Sequence, residues 1–292
     1  MLSTKFIVSL AAVADFVLGG LLSNGFITAV IITEWAKSRS LAACEQLLLS
    51  LGVSNIFATF VLSLCFYDWN TKIIFSNTLK LILYYSFCCV VFMRYWLTAW
   101  LCVFYCVKIL NSTHSFFLWW KMRISRLVPR FILGSCVVSF LASFFIALTI
   151  SIQLQTNKTV NVTNITKAGK MEELSKNANI FFLIIGSTCP LLAVFICSVL
   201  VVASLCQHAC KMTSKGSNLR NLQTEAHVKA AWTVFSLLVL YISFYVAQAL
   251  SSLEEYWLTL APNLISHQDL IRYGQFLLVC AIFHTTALFD IT

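Results

Sequence analysis

The feature that most constrains this chain is a succession of apolar blocks, each about as long as a membrane is thick. A helix needs roughly 20 apolar residues to cross the hydrocarbon core. Blocks of this kind recur at about 7–33, 47–67, 81–107, 128–150, 180–206, 228–250 and 271–289. Backbone groups must be paired inside lipid, and the blocks lack the period-2 alternation of a membrane barrel. We therefore predict an all-α membrane protein, a seven-transmembrane helix bundle that forms one domain over residues 1–292.

Composition excludes the soluble classes of protein. Apolar residues make up 60% of the chain and charged residues only 11%, which is too little polar surface to coat a globule. The net charge of +9 is spread through short segments between the blocks, so a nucleic-acid partner is not expected. The cysteines show no metal-ligand spacing, and no nucleophile or acid–base constellation stands inside the blocks. We expect no metal, no cofactor and no enzymatic activity.

Two signals predict the orientation. Segments after blocks one, three and five carry eleven Lys and Arg residues, against eight on the other side, which is a small positive-inside bias. Three N-glycosylation sequons, at Asn157, Asn161 and Asn164, crowd the segment 151–179 on the less basic side, whereas the sequon at Asn111 lies on the basic side. The amino terminus is predicted to lie outside, as in a multi-pass plasma-membrane glycoprotein.

Polar residues inside the blocks mark positions of structural or functional importance. Arg94 lies in the third block and Asp15 in the first, at depths estimated as similar, so a direct or water-bridged pair is one reading. The alternative is that Arg94 snorkels outward along a water-filled cavity. Asn24 and Asn55 are expected to hydrogen-bond between helices. Pro190 is predicted to kink the fifth span.

Several motifs together resemble the bitter taste receptors, the type 2 taste receptor family of G-protein-coupled receptors. They are Asn24-Gly25-Phe26-Ile27, Trp96-Leu97-Thr98-Ala99, Phe104-Tyr105, Lys108-Ile109, Phe117-Leu118-Trp119, Lys121-Met122-Arg123 and Ala226-His227-Val228-Lys229-Ala230. The resemblance implies a receptor that binds bitter small molecules and activates a heterotrimeric G protein of the gustducin or inhibitory type, in contact with membrane lipid.

The resemblance also implies which residues carry these roles. The ligand pocket would comprise Phe87, Val91, Tyr241, Phe244, Gln248, Gly274 and Gln275. Coupling to the G protein, or switching between states, would involve Asn24, Asn55, Lys108, Lys121, Arg123, His208, His227, Lys229 and His284. Plain helix packing, or a solvated positive charge, is the alternative reading of any single one of them.

Two departures from the family pattern bear on signalling. Family members generally carry Arg where Asn55 stands, and a proline three residues before the His that corresponds to His284, where this chain has Ala281. The chain also ends at Thr292, without the basic residues that usually follow the seventh span. We expect these differences to weaken coupling more than ligand binding.

Two other functional classes share some of these features. A transporter would also place charges such as Asp15 and Arg94 in the membrane, although no internal repeat is evident in the sequence. A pheromone-type receptor would share the seven-helix fold but not the motif at Lys108-Ile109 or the one at His227-Val228-Lys229-Ala230.

Overall fold

The protein is helical almost throughout the residues described by its structure, a computed structural model that covers 4–71, 77–110, 115–158, 181–182 and 184–213. Its helices are α1 (Thr4–Ser38), α2 (Ala43–Thr71), α3 (Asn77–Ile109), α4 (Ser115–Lys158) and α5 (Cys189–Thr213), and a π-helical turn (Ile184–Thr188) precedes α5. All five are long and apolar enough to cross a membrane. The prediction of an all-α membrane protein is therefore confirmed. The predicted spans 228–250 and 271–289 lie outside the described residues.

Helix α4 extends well beyond the predicted span 128–150 at both ends. It begins at Ser115, so that Lys121 and Arg123 are helical and do not belong to a loop between spans three and four. It ends at Lys158, inside the segment expected to be an extracellular loop. At its start the reason is packing, because Ile124 is buried in a core cluster with residues of α2 and α3, although Arg123 and Arg126 stand close to it in sequence.

A tight turn joins α1 to α2. Arg39 adopts a left-handed conformation with a φ of 58°, which ends α1. The Glu45 carboxylate then accepts a hydrogen bond of 2.8 Å from the backbone N–H of Ala42, as in half of a capping box. The short connection predicts that α1 and α2 are antiparallel neighbours, and the two helices indeed pack together.

Small residues let α1 and α2 approach closely. A Cβ atom added at Gly52 would lie 2.8 Å from Thr28 Oγ1, and one added at Gly20 would lie 3.2 Å from Thr59 Oγ1. Small residues at a helix interface are a usual means of association in membranes, where burial of apolar surface gives no net driving force. This close approach brings the polar side chains of the two helices within hydrogen-bonding distance.

Helix α3 is the centre of the described bundle, since it packs against α2, α4 and α5. A core cluster toward its end joins it to α2 and α4, and contains Leu47, Leu51, Leu97, Phe104, Val107, Ile124 and Val128. A second cluster, near its beginning, contains Cys88, Val91, Phe92, Tyr95, Ala142 and Ile146.

The fifth span begins with an irregular turn at the position where a proline was expected to kink it. Pro190 is the second residue of α5 and follows directly on the π-helical turn. Proline lacks the N–H that would pair with the carbonyl of Gly186, four residues earlier, and π-helical geometry accommodates such an interruption. Gly186 fits this turn closely, because an added Cβ would lie 2.7 Å from the Phe92 ring.

We predict that Gly186→Ala destabilises the protein. Phe92 is only 2% exposed, so its ring has little room to move, and overpacking of this kind costs about 1–3 kcal/mol. Thermal unfolding of the detergent-solubilised protein, followed by fluorescence size-exclusion, should show a lower midpoint. Gly134→Ala is the matched control, because nothing lies within 4 Å of its added Cβ. Equal midpoints for the two variants would contradict the close contact with Phe92.

Candidate functional site

A chain of hydrogen bonds links α1, α2 and α3 inside the bundle. The Arg94 Nε–H donates to Asn55 Oδ1 at 2.6 Å, and Asn55 Nδ2 donates to Asn24 Oδ1 at 2.8 Å. Asn24 Nδ2 in turn donates to the carbonyl of Gly20, one turn earlier on α1, at 2.9 Å. The structure thus brings together three polar residues that the sequence marks separately. We call Arg94, Asn55, Asn24 and Gly20 the polar network.

The polar network is buried, which raises its energetic importance. Asn24 and Asn55 are fully buried, and Arg94 is half-buried. A cation at membrane depth is costly unless protein groups or water solvate it. Hydrogen bonds to a charged group are stronger than neutral ones, and the 2.6 Å separation fits a charge-assisted bond. Removing an acceptor from Arg94 would therefore cost more than loss of an ordinary surface contact.

The predicted partner Asp15 stands elsewhere on α1. Its backbone belongs to the helix, but its side chain lies outside the described residues. Asp15 precedes Asn24 by nine positions, which is about 13 Å along a helix axis. The Arg94 guanidinium is linked through Asn55 to Asn24. A contact between Arg94 and Asp15 stays a prediction.

The network changes the interpretation of Asn55. The chain lacks the family's Arg at this position, but the network keeps a charge-assisted bond, because Arg94 supplies a guanidinium from α3 to the amide at position 55. The sequence does show polar residues in each of the first three spans, but residues 39 positions apart give no local signal of contact.

A second polar contact, between α3 and α4, has no signature in the sequence. The Trp100 Nε1–H donates to Ser135 Oγ at 3.1 Å, and the Ser135 hydroxyl donates to the Phe131 carbonyl at 2.8 Å. The indole of Trp100 also stacks on Phe131, with ring centroids 4.0 Å apart and planes inclined by 4°. These contacts fix the register between the two helices.

Two of the residues predicted to bind ligand, Phe87 and Val91, lie together on α3. Val91 is buried in the cluster that joins α3 and α4. Phe87 is half-buried and packs against this cluster and also against a second one around Leu62 on α2. The other predicted pocket residues lie outside the described residues: Tyr241, Phe244, Gln248, Gly274 and Gln275.

The basic residues predicted to act in coupling occupy helix ends. Lys108 is exposed at the end of α3, with Nζ 5.7 Å from the centroid of the Phe104 ring. Lys121 is half-buried near the start of α4, and the exposed Arg123 guanidinium lies 4.8 Å from the Trp119 ring centroid. The backbone of His208 belongs to α5. The remaining predicted coupling residues lie outside the described residues: His227, Lys229 and His284.

We predict that Asn55→Arg lowers the amount of folded protein at the cell surface. A second cation would stand beside Arg94, and two unit charges about 4 Å apart repel by about 4 kcal/mol at an effective dielectric constant of about 20. Surface biotinylation should show a severalfold loss, with recovery when Arg94→Gln is added. Asn55→Asp keeps an acceptor for Arg94 and should lose less. Wild-type levels of Asn55→Arg would argue against the contact.

Comparison with known proteins agrees with the motifs. The family model for Taste receptor protein (TAS2R) matches residues 1–267. Taste receptor type 2 member 104 of Rattus norvegicus is 30% identical over 259 residues, covering 87% of this chain and 83% of that protein.

Relatives from birds and apes give the same result. Taste receptor type 2 member 40 of Gallus gallus is 31% identical over 244 residues, with 78% and 74% of the two chains covered. Taste receptor type 2 member 64 of Pan paniscus is 29% identical over 272 residues, with 90% and 81% covered. The match extends over most of both partners in each case, and the chain therefore belongs to the bitter taste receptor family, whose members are seven-transmembrane receptors.

Proposed function

We propose that this protein is a bitter-sensing G-protein-coupled receptor. It binds bitter small molecules from the extracellular side and activates a heterotrimeric G protein of the gustducin or inhibitory type. It acts at the plasma membrane with its amino terminus outside. The observation that carries the proposal is the polar network. The half-buried guanidinium of Arg94 on α3 bonds Asn55 on α2, which bonds Asn24 on α1, and these bonds join three spans into one unit that a ligand can bias.

The ligand site is proposed in the half of the bundle nearer the start of α3. Phe87 and Val91 are four positions apart and share one face of α3. Around them are the apolar residues of α4 and α5 that form the cluster with Phe92 and Tyr95. Such a lining suits mostly apolar ligands of varied shape. Tyr241, Phe244, Gln248, Gly274 and Gln275 are proposed to complete the pocket.

The interface of α3 and α4 offers a means of switching between two arrangements. Trp100 and Ser135 form a hydrogen bond. Trp96 Nε1, one turn earlier on α3, and Ser139 Oγ, one turn later on α4, are buried without a hydrogen-bond partner within the described part of the chain. Buried donors without partners are costly. A small shift of α3 along α4 would break some of the present contacts. A hydrogen bond from Trp96 to Ser139, formed by that shift, would offset their loss. We propose this interface as one element of the two-state equilibrium.

The coupling surface is proposed at the opposite end of the bundle. Lys108 closes α3, and Lys121 and Arg123 stand in the first turns of α4, so three cations of the coupling set lie at neighbouring helix ends. His208, His227, Lys229 and His284 are proposed to contribute to the same surface or to the switch. A surface of this charge suits the acidic or polar face of a protein partner.

We predict that Phe87→Ala weakens the response to at least one bitter agonist. Cells that express the chain with a chimeric G protein are screened by calcium release against a panel of bitter compounds, and the half-maximal concentration should rise roughly tenfold. Ile82→Ala is the matched control on the same helix, since Ile82 is 54% exposed. Equal shifts in both variants would argue against a pocket at Phe87. A signal that persists without the G protein would favour transport.

We predict that the protein carries at least one glycan on Asn157, Asn161 or Asn164. Enzymatic deglycosylation should increase its gel mobility, because these sequons are proposed to face the lumen during synthesis. The triple Asn→Gln variant should run like the deglycosylated wild type. Asn111→Gln is the control and should change nothing. If only Asn111→Gln abolished the shift, the proposed orientation would be reversed.

A further inference from the structure

One face of α4 is exposed along the whole crossing and changes from apolar to basic toward the start of the helix. Its apolar part consists of residues that are at least half exposed: Leu133, Val137, Phe140 and Phe144. At 100° per residue, the same face continues within an arc of about 60° through four residues near the helix start. We call these four the arginine stripe: Trp119, Arg123, Arg126 and Arg130.

The opposite face holds this part of α4 against the bundle. Ile124 and Val128 are each 1% exposed and belong to the core cluster with Leu97 and Phe104 of α3. The Trp120 ring, on the flank, stacks near Phe131 with centroids 6.2 Å apart. The arginine stripe therefore lies on a helix that packs against the bundle, and it faces away from the bundle toward the surrounding lipid.

In the described part of the chain, the stripe has no acidic partner. Helix α4 contains no Asp or Glu, and within the ranges that the structure describes no carboxylate forms a salt bridge with these arginines. Arg123 is partly ordered by Trp119, over whose ring it lies at 4.8 Å. Three exposed guanidinium groups on one face are thus available to bind an anion from outside the described part of the chain.

The depth of the stripe matches the headgroup layer. Helix α4 has 44 residues and is about 66 Å long, whereas the hydrocarbon core is about 30 Å thick. The four apolar exposed residues cover about 16 Å of the helix axis. A core of about 30 Å that ends near Thr149, the end of the apolar span, begins beside Arg130. The stripe then covers about 16 Å of the helix axis, which includes the level of the lipid phosphates. Tryptophan is also enriched at this level.

We propose that the arginine stripe binds the headgroup of an anionic phospholipid, preferably a phosphoinositide. Guanidinium groups bind phosphate through paired hydrogen bonds, and three of them suit a headgroup with several phosphates. A protein partner below the membrane would need to reach around to the lipid-facing side of α4. The inference depends on the membrane-spanning fold and not on coupling. Placing the lipid in the cytoplasmic leaflet depends on the proposed orientation.

The test measures lipid binding by the full-length protein in mixed micelles of detergent and phosphatidylcholine. A fluorescent phosphatidylinositol bisphosphate is titrated with the receptor and followed by anisotropy. The double variant Arg126→Gln/Arg130→Gln removes two charges that lie outside the proposed coupling set. Each basic residue near an anionic surface contributes about fivefold in affinity, so a loss of about 25-fold is expected. The matched control, Lys37→Gln/Arg39→Gln, removes equal charge beside α1 and should change binding little.

Lipid binding is also measured for a conservative variant and at raised salt. Arg126→Lys/Arg130→Lys should retain most of the affinity, and added salt should weaken binding to the wild type. If the double Gln variant does not fold, the salt dependence and the Lys variant still decide. Salt-independent binding, equal losses in the α1 control, or unchanged affinity in the double Gln variant would overturn the proposal. So would displacement by free inositol phosphate at the affinity of the lipid.

Discussion

A guanidinium within a membrane bundle has to be solvated by the protein, and the described fold is arranged around that requirement. Arg94 donates to Asn55, and the amide of Asn55 is held by Asn24. This chain of bonds runs where Gly20 and Gly52 let α1 and α2 approach closely. A Cβ atom at Gly52 would lie 2.8 Å from Thr28 Oγ1 and would disturb that approach. The close approach of α1 and α2 at the glycines and the pairing of Arg94 are therefore parts of one arrangement.

Helix α3 connects the two ends of the bundle because it belongs to both core clusters. Near its beginning it packs with α4 and α5 around Phe92, which also contacts the π-helical turn through Gly186. Toward its end it packs with α2 and α4 around Leu97. In sequence, Arg94 lies next to Tyr95 of the first cluster and three residues before Leu97 of the second. In the proposed receptor, a ligand that displaces the first cluster acts on the helix that carries both the charge and the second cluster.

The faces of one membrane helix serve different purposes, and α4 illustrates this. Ser135 toward α3 completes a polar contact with Trp100, whereas the exposed Val137 and Phe140 face lipid. Arg126, nearer the helix start, is exposed like the lipid-facing residues, but its positive charge suits a lipid headgroup. Burial, rather than residue type, separates the structural residues from those available to a partner.

The sequence alone determined the fold class, because a run of roughly 20 apolar residues admits only a spanning helix in this context. It also determined the family, since short motifs such as Lys108-Ile109 resemble the family pattern although relatives such as the rat protein are only about 30% identical overall. Only the tertiary structure decided that Arg94 pairs with Asn55, that α4 begins at Ser115 and that Trp100 bonds Ser135. Contacts between residues far apart in the chain depend on how the helices are rotated and how closely they approach. The hydropathy pattern specifies neither the rotation nor the distance.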